Sequence, residues 1–214
     1  GVIYMSSSLE EETLDIINEL DLKTVLVETK DKEGRLPSVY IDNIEATYEA
    51  TKHLLDKGIK NIAFIGVDKS SANAWGDRYI GYEKALNEAG ITVDEDLVYF
   101  EGLKVKSGYV ASEKFLASGK NFDGIICASD EIAMGAINGL REKGVNTPED
   151  VSVIGFNDNV VASYFYPKLT TVKQPSYDMG SVAMRMLIKI LNNKPLEKAE
   201  FILKHELIER ESCK

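Results

Sequence analysis

The sequence predicts a parallel α/β fold shared between two lobes, and three observations predict it. Strand-length apolar runs alternate with amphipathic helical stretches along most of the chain, as they do where helices cover both faces of a parallel sheet. Gly58, Gly90 and Gly144 each follow a helical stretch and stop it. Late in the chain the rhythm breaks at an extended segment, Thr170 to Gln174, isolated between Pro167 and Pro175, which suits a crossover between lobes better than another wound strand.

Taken in order, "VIYM" is a strand, a helix follows from about Leu9 to Leu20, and Thr24 to Glu28 is the next strand. Asp31 to Pro37 is a polar loop in which Gly34 and Pro37 block regular structure. The cycle restarts with the extended "VYIDN", a helix to Lys57, the strand "NIAFIG" and a helix from about Trp75 to Ala89. "LVYFEG" leads into a helix over Lys106 to Ala117, and "GIICAS" into one over Asp130 to Lys143. Thr147 and Pro148 then turn the chain into the strand Val151 to Phe156. A helix from Tyr177 to Leu191 carries Val182, Met186 and Ile190 at helical spacing, and "EFILKHELIER" closes as one alternating strand.

At 214 residues and 44% hydrophobic content there is material for one sizeable domain or two small lobes. The lobes are expected over 1–41 with 176–194 and over 42–175 with 195–214. The first then holds two strands and two helices, too little to bury a core well, so it is expected to begin upstream of Gly1. A net charge of -10 argues against these residues gripping a phosphate backbone themselves. Cys127 and Cys213 suggest neither a disulfide framework nor a zinc site, and a reducing cytoplasm is the expected compartment. No run approaches the roughly 18 consecutive apolar residues of a membrane span, and the opening residues lack a basic signal-peptide start.

Ligands of parallel sheets bind beyond the carboxyl ends of the strands, so the loops there hold the candidate residues. After "NIAFIG" come Asp68, Asn73, Trp75 and Arg78; after "GIICA" come Ser129, Asp130 and Glu131; after "VSVIGF" come Asn157, Asp158 and Asn159; and Asp42 and Asn43 follow "VYI". An aromatic wall, a guanidinium and several amides or carboxylates are what a polyhydroxylated ligand requires. The plainer roles stand beside this one. Asp130 is read first as a helix N-cap, Asp158 and Asn159 equally as turn-formers, Trp75 as packing and Arg78 as a surface salt bridge. Catalysis finds little footing: His53 and His205 read as structural or solvent-facing, Cys127 as an inert buried thiol, and the nucleophile-elbow, phosphate-loop and dinucleotide motifs are absent. No enzyme, cofactor or metal is expected.

"ASDEIAMGAINGLREKGVNTPEDVSVIGFND" and "YPKLTTVKQPSYDMGSVAMRMLIKI" resemble the effector-binding and dimerisation core of LacI/GalR-type bacterial transcription regulators. "ATKHLLDKGIKNIAFIG" and "DRYIGYEKALNEAGI" fit the same family in order and spacing. The resemblance implies a type I periplasmic-binding-protein-like fold, two α/β lobes joined by crossover strands with the first lobe incomplete here. It also implies a ligand cleft, a homodimer, and operator DNA read by a helix-turn-helix headpiece that this sequence lacks. It places the effector arginine on Arg78, with Ser129 and Asp130 beside it. The aspartate that often binds effector hydroxyls falls on Asn157, and Ser176 with Tyr177 takes the place after "KQP".

Within the family, "IYMSSSLEEE", "PSVYID" and "QPSYDMGSVAMRML" are most similar to catabolite control protein A, a regulator of carbon metabolism. That branch implies the serine-phosphorylated phosphocarrier protein HPr as corepressor and sugar phosphates as modulators. Its docking surface is expected largely on the first lobe and near Tyr164, Phe165 and Tyr166. The effector is expected at Arg78, Trp75, Asn73, Ser129, Asp130, Asn157, Asp158 and Tyr177. Dimerisation is expected through Ile132, Met134, Ala136 and Ile137, more apolar than one buried helix face needs. The alternative is a sugar-binding receptor of a transport system with the same fold.

Overall fold

The computed structural model describes residues 1–69 and 73–214. In chain order the elements begin with β1 (Val2–Met5), α1 (Glu11–Glu19), β2 (Thr24–Val27), β3 (Ser38–Ile41), α2 (Asn43–Asp56) and β4 (Ile62–Gly66). They continue with α3 (Ala74–Glu88), β5 (Val98–Phe100), α4 (Val105–Ala117), β6 (Gly124–Cys127), α5 (Asp130–Glu142) and β7 (Ser152–Asn157). The last four are β8 (Thr170–Lys173), α6 (Ser176–Leu191), β9 (Glu200–Leu203) and β10 (Glu206–Ile208).

Two units result. The first is built mainly of Gly1–Asp42 and Pro175–His205 and holds a four-stranded parallel sheet in the order β1-β2-β3-β9. Its strands β2 and β3 are buried throughout, as strands covered on both faces must be, and α6 lays Met179, Ala183, Met186 and Leu187 against them. Leu14 and Ile17 of α1 are buried as well. A small core therefore exists within these residues, each fully buried aliphatic contributing about 1.5–3 kcal/mol.

The second unit, built mainly of residues 43–69, Trp75–Gln174 and Glu206–Lys214, holds a six-stranded sheet in the order β10-β8-β7-β6-β4-β5. All its pairings are parallel except β10 with β8. Phe64 packs 5.3 Å from Tyr79 and 5.1 Å from Tyr82, fixing α3 on the sheet. Helices α4 and α5 approach so closely that a Cβ at Gly108 would run into the Ile132 carbonyl oxygen, and one at Gly135 into that of Val105.

Two expectations are corrected here. Thr170–Lys173 is not isolated from the sheet: as β8 it pairs with β7 on one side and β10 on the other, and the chain passes to the first unit just after it, between Gln174 and Pro175. The closing stretch read as one strand is two. β9 pairs with β3 and β10 with β8, so 195–205 belongs with the first unit rather than with the second lobe where 195–214 was placed. An alternating pattern states that a strand is half-buried; it does not state against which sheet.

Candidate functional site

In the second unit the parallel strands β4, β6 and β7 end at one edge of the sheet, where the loops carry the polar residues. Arg78, on α3, lies there 2% exposed. Its Nε donates to Asn43 Oδ1 at 2.9 Å and Nη1 to the Ala128 carbonyl at 2.5 Å. Its guanidinium carbon stands 3.7 Å from the ring centre of Phe156 and 4.6 Å from that of Trp75. A cation bonded to the Asn43 amide and the Ala128 carbonyl and set against the Phe156 and Trp75 rings is fixed in direction. The surface salt bridge considered for it does not fit this burial.

Beyond β6, Ser129 rather than Asp130 caps α5. Its backbone is extended, φ −153° and ψ 165°, and its hydroxyl accepts from the Ile132 N–H at 3.2 Å. Asp130 already lies within the helix, so it cannot serve as the cap. Its carboxylate is fully buried and accepts from the Thr171 hydroxyl at 2.5 Å and the Asn159 N–H at 2.6 Å. Burial pushes this carboxyl up to about 7, with Glu131 and Asp158 adding to the rise while the Thr171 and Asn159 bonds oppose it.

Beyond β7 the chain takes positive φ at Asn157 (107°) and Asp158 (57°), conformations that Asn and Asp tolerate better than other side chains. Asn157 Oδ1 accepts from Gln174 Nε2 at 2.7 Å. Asp158 Oδ1 accepts from Arg210 Nη2 at 2.6 Å, both side chains largely buried, and the Asn159 side chain donates to Glu131 at 2.8 Å.

Comparison with known proteins fits this geometry. Residues 51–213 match the family described as periplasmic binding protein-like domain. A solved structure of the transcription regulator CcpA of Lactococcus lactis is 37% identical and superposes with a TM-score of 0.92, covering 100% of this chain and 78% of that one. The chain belongs to the periplasmic-binding-protein-like family, as the core of a LacI-type regulator. The HTH-type transcriptional regulator RegA of Clostridium saccharobutylicum is 66% identical over 212 residues, 99% of this chain. The structure titled as a complex of the regulator CelR with cellobiose is 31% identical, with a TM-score of 0.91 over 99% of this chain. The chain spans 64% of the RegA protein's length.

Seen within that family, the expected effector residues separate. Arg78, Trp75, Ser129, Asp130, Asn157 and Asp158 come to one sheet edge of the second unit, and Arg78, Ser129, Asp130, Asn157 and Asp158 are each already hydrogen-bonded within the protein. Asn73 sits half-buried just before α3, and Tyr177, on α6 of the first unit, is 86% exposed. The four residues expected at a dimer contact are covered within the chain itself. Ile132, Ala136 and Ile137 are fully buried and Met134 nearly so, because α5 is packed between the sheet and α4. Their apolar excess serves two-sided packing. Sequence reasoning named Asn43 among the strand-end loop residues without carrying it to the effector set, and did not assign Phe156, Thr171, Gln174 and Arg210 to the site. Phe156 adjoins residues it did weigh, whereas Thr171 and Arg210 lie 41 residues and 52 residues from the groups they bond and leave no local signal.

Cys127 is fully buried and its thiol is held well above the usual range by that burial, and burial lowers the His53 imidazole. Among the described residues no group of His, Cys, Asp and Glu side chains could hold a metal ion, and no helix is long and apolar enough to cross a membrane.

Proposed function

We propose that this chain is the ligand-responsive core of a regulator of carbon metabolism similar to catabolite control protein A, acting on operator binding by a helix-turn-helix headpiece outside these 214 residues. The carrying observation is the buried Arg78 guanidinium, clamped between Phe156 and Trp75 at the carboxyl edge of the sheet. It donates in a fixed direction to a hydroxyl or phosphate oxygen, and the half-buried Trp75 offers its face to a sugar ring, so a sugar or sugar phosphate is the ligand class. The protein is then a binding device of the cytoplasm and not an enzyme.

Two exposed surfaces suit the protein partners. Val160, Val161, Tyr164 and Tyr166 form an apolar patch on the second unit, and we assign the homodimer contact to it in place of the covered α5 residues. On the first unit Tyr177, Met184, Ile188 and Leu191 line one exposed face of α6, with the exposed Arg185 and with Lys189 beside them. An apolar strip flanked by cations suits serine-phosphorylated HPr, whose phosphoserine needs a cationic partner. The Tyr164 to Tyr166 segment offers the phosphate no cation among its own residues.

Thermal-shift titration with glucose, cellobiose, glucose 6-phosphate and fructose 1,6-bisphosphate tests the ligand reading. At least one should raise the melting temperature of the wild type, by the equivalent of about 2.7 kcal/mol at a hundredfold excess over Kd, and not that of Arg78→Ala. Failure of all four would reject this ligand class. Tight, sequence-specific operator binding by these residues alone in a gel-shift assay would reject the division of labour.

A further inference from the structure

Asp130 faces no solvent, yet it stands where the ligand edge is built. Four elements meet on its carboxylate. It projects from α5, accepts from Thr171 of β8 through Oδ1 and from the Asn159 N–H, beyond β7, through Oδ2. β7 makes room for it at Gly155, where a Cβ would stand 2.5 Å from Oδ1 and 2.8 Å from Leu169 Cδ2.

The turn it grips is strained. Asn157 and Asp158 both carry positive φ, which costs on the order of 1 kcal/mol per non-glycine residue and persists only where the surroundings enforce it. Arg210 holds the Asp158 side chain, Gln174 that of Asn157, and Glu131 that of Asn159. The Asp158 N–H points at the Thr171 hydroxyl from 3.4 Å, a weak contact. Among the described residues, the carboxylate bonded to the turn's own backbone is that of Asp130, and such charge-assisted bonds are roughly twice as strong as neutral ones.

We propose that Asp130 is a positioning residue: it never meets the ligand but locks the 157–159 turn, with its positive φ at Asn157 and Asp158, in the form that sets Asn157 at the ligand edge. This rests on reading that edge as the ligand site. The lock works in either protonation state. Ionised, the carboxylate accepts from both donors; protonated, it donates to the Thr171 hydroxyl, which can rotate to accept, while the other oxygen keeps the Asn159 N–H. An asparagine at this position does the same. The charged and titratable groups around it are Glu131 on α5, Asp158 in the turn, Arg210 after β10 and Cys127 on β6.

Amide hydrogen exchange on the unliganded chain is the decisive measurement, because it needs no ligand. In Asp130→Asn the Asn159 amide should exchange within threefold of wild type, and in Asp130→Ala at least tenfold faster, with the Ile126 amide of β6 unchanged in both. An unchanged Asn159 amide in Asp130→Ala would overturn the lock. Should that variant lose its core protection as well, Thr171→Val decides in its place: a faster Asn159 amide supports the lock and an unchanged one overturns it. Calorimetric titration with cellobiose and with glucose 6-phosphate should then show tenfold weaker binding in Asp130→Ala and near-wild-type binding in Asp130→Asn. Faster exchange with unaltered binding would overturn the positioning role. If neither probe binds the wild type, the ligand reading of the edge fails, and the lock is decided by exchange alone.

Discussion

Asp130 gives the pH behaviour of the protein a named source. Its carboxyl rises from 3.8 unfolded to about 7 folded, so between those values the folded state keeps a proton that the unfolded state has released. The stability tied to that proton is fully present below about pH 4 and is lost as pH rises through about 7. Asp130→Asn removes the titration, and the difference between the two proteins cancels every other group. Urea denaturation should therefore show wild type losing about 3 kcal/mol relative to Asp130→Asn between pH 5 and pH 8. Parallel curves would contradict it. Asn157 supplies a second residue-scale expectation: Asn157→Asp should tighten a neutral sugar several-fold, read by calorimetry, because an ionised acceptor binds hydroxyls more strongly. No change would point to control by a protein partner. From sequence, the polar cluster at this edge was legible because a core strand emptying into Asn157, Asp158 and Asn159 is unusual. That Ser129 caps the helix while Asp130 is inserted behind the turn was not, because the Thr171 partner comes from a strand 41 residues away.

The helices and strands were largely legible as elements, since their periodicity is local. Their partners were not. β8 lies between β7 and β10, and β9 and β10 join different sheets although only Lys204 and His205 separate them. Each pairing is a long-range choice that a period of two leaves open. The α4–α5 pair shows the same limit: nothing local in the sequence sets Gly108 and Gly135 apart, yet both mark places where two backbones touch. Gly135→Ala must push α4 away from α5. A loss of about 3 kcal/mol in chemical denaturation is expected, against less than about 1 kcal/mol for an alanine at Gly180, which has open space at its Cβ. Equal effects would show that the helices adjust without cost.

At the scale of the whole molecule the expected partners depend on which apolar residues remain uncovered. Val160 and Tyr164, 78% and 83% exposed, should carry the proposed homodimer contact. Val160→Glu with Tyr164→Glu should shift sedimentation from dimer to monomer without altering the far-ultraviolet circular dichroism. A surviving dimer would place the contact elsewhere. The sequence by itself determined the class of fold, the sheet edge where polar side chains gather, and the family, because alternation, strand-end polarity and motif order are all local or linear properties. Only the tertiary structure decided which polar residues at that edge brace the turn, and which apolar residues are core and which are surface. Those distinctions depend on what covers each side chain, and the covering elements come from distant parts of the chain.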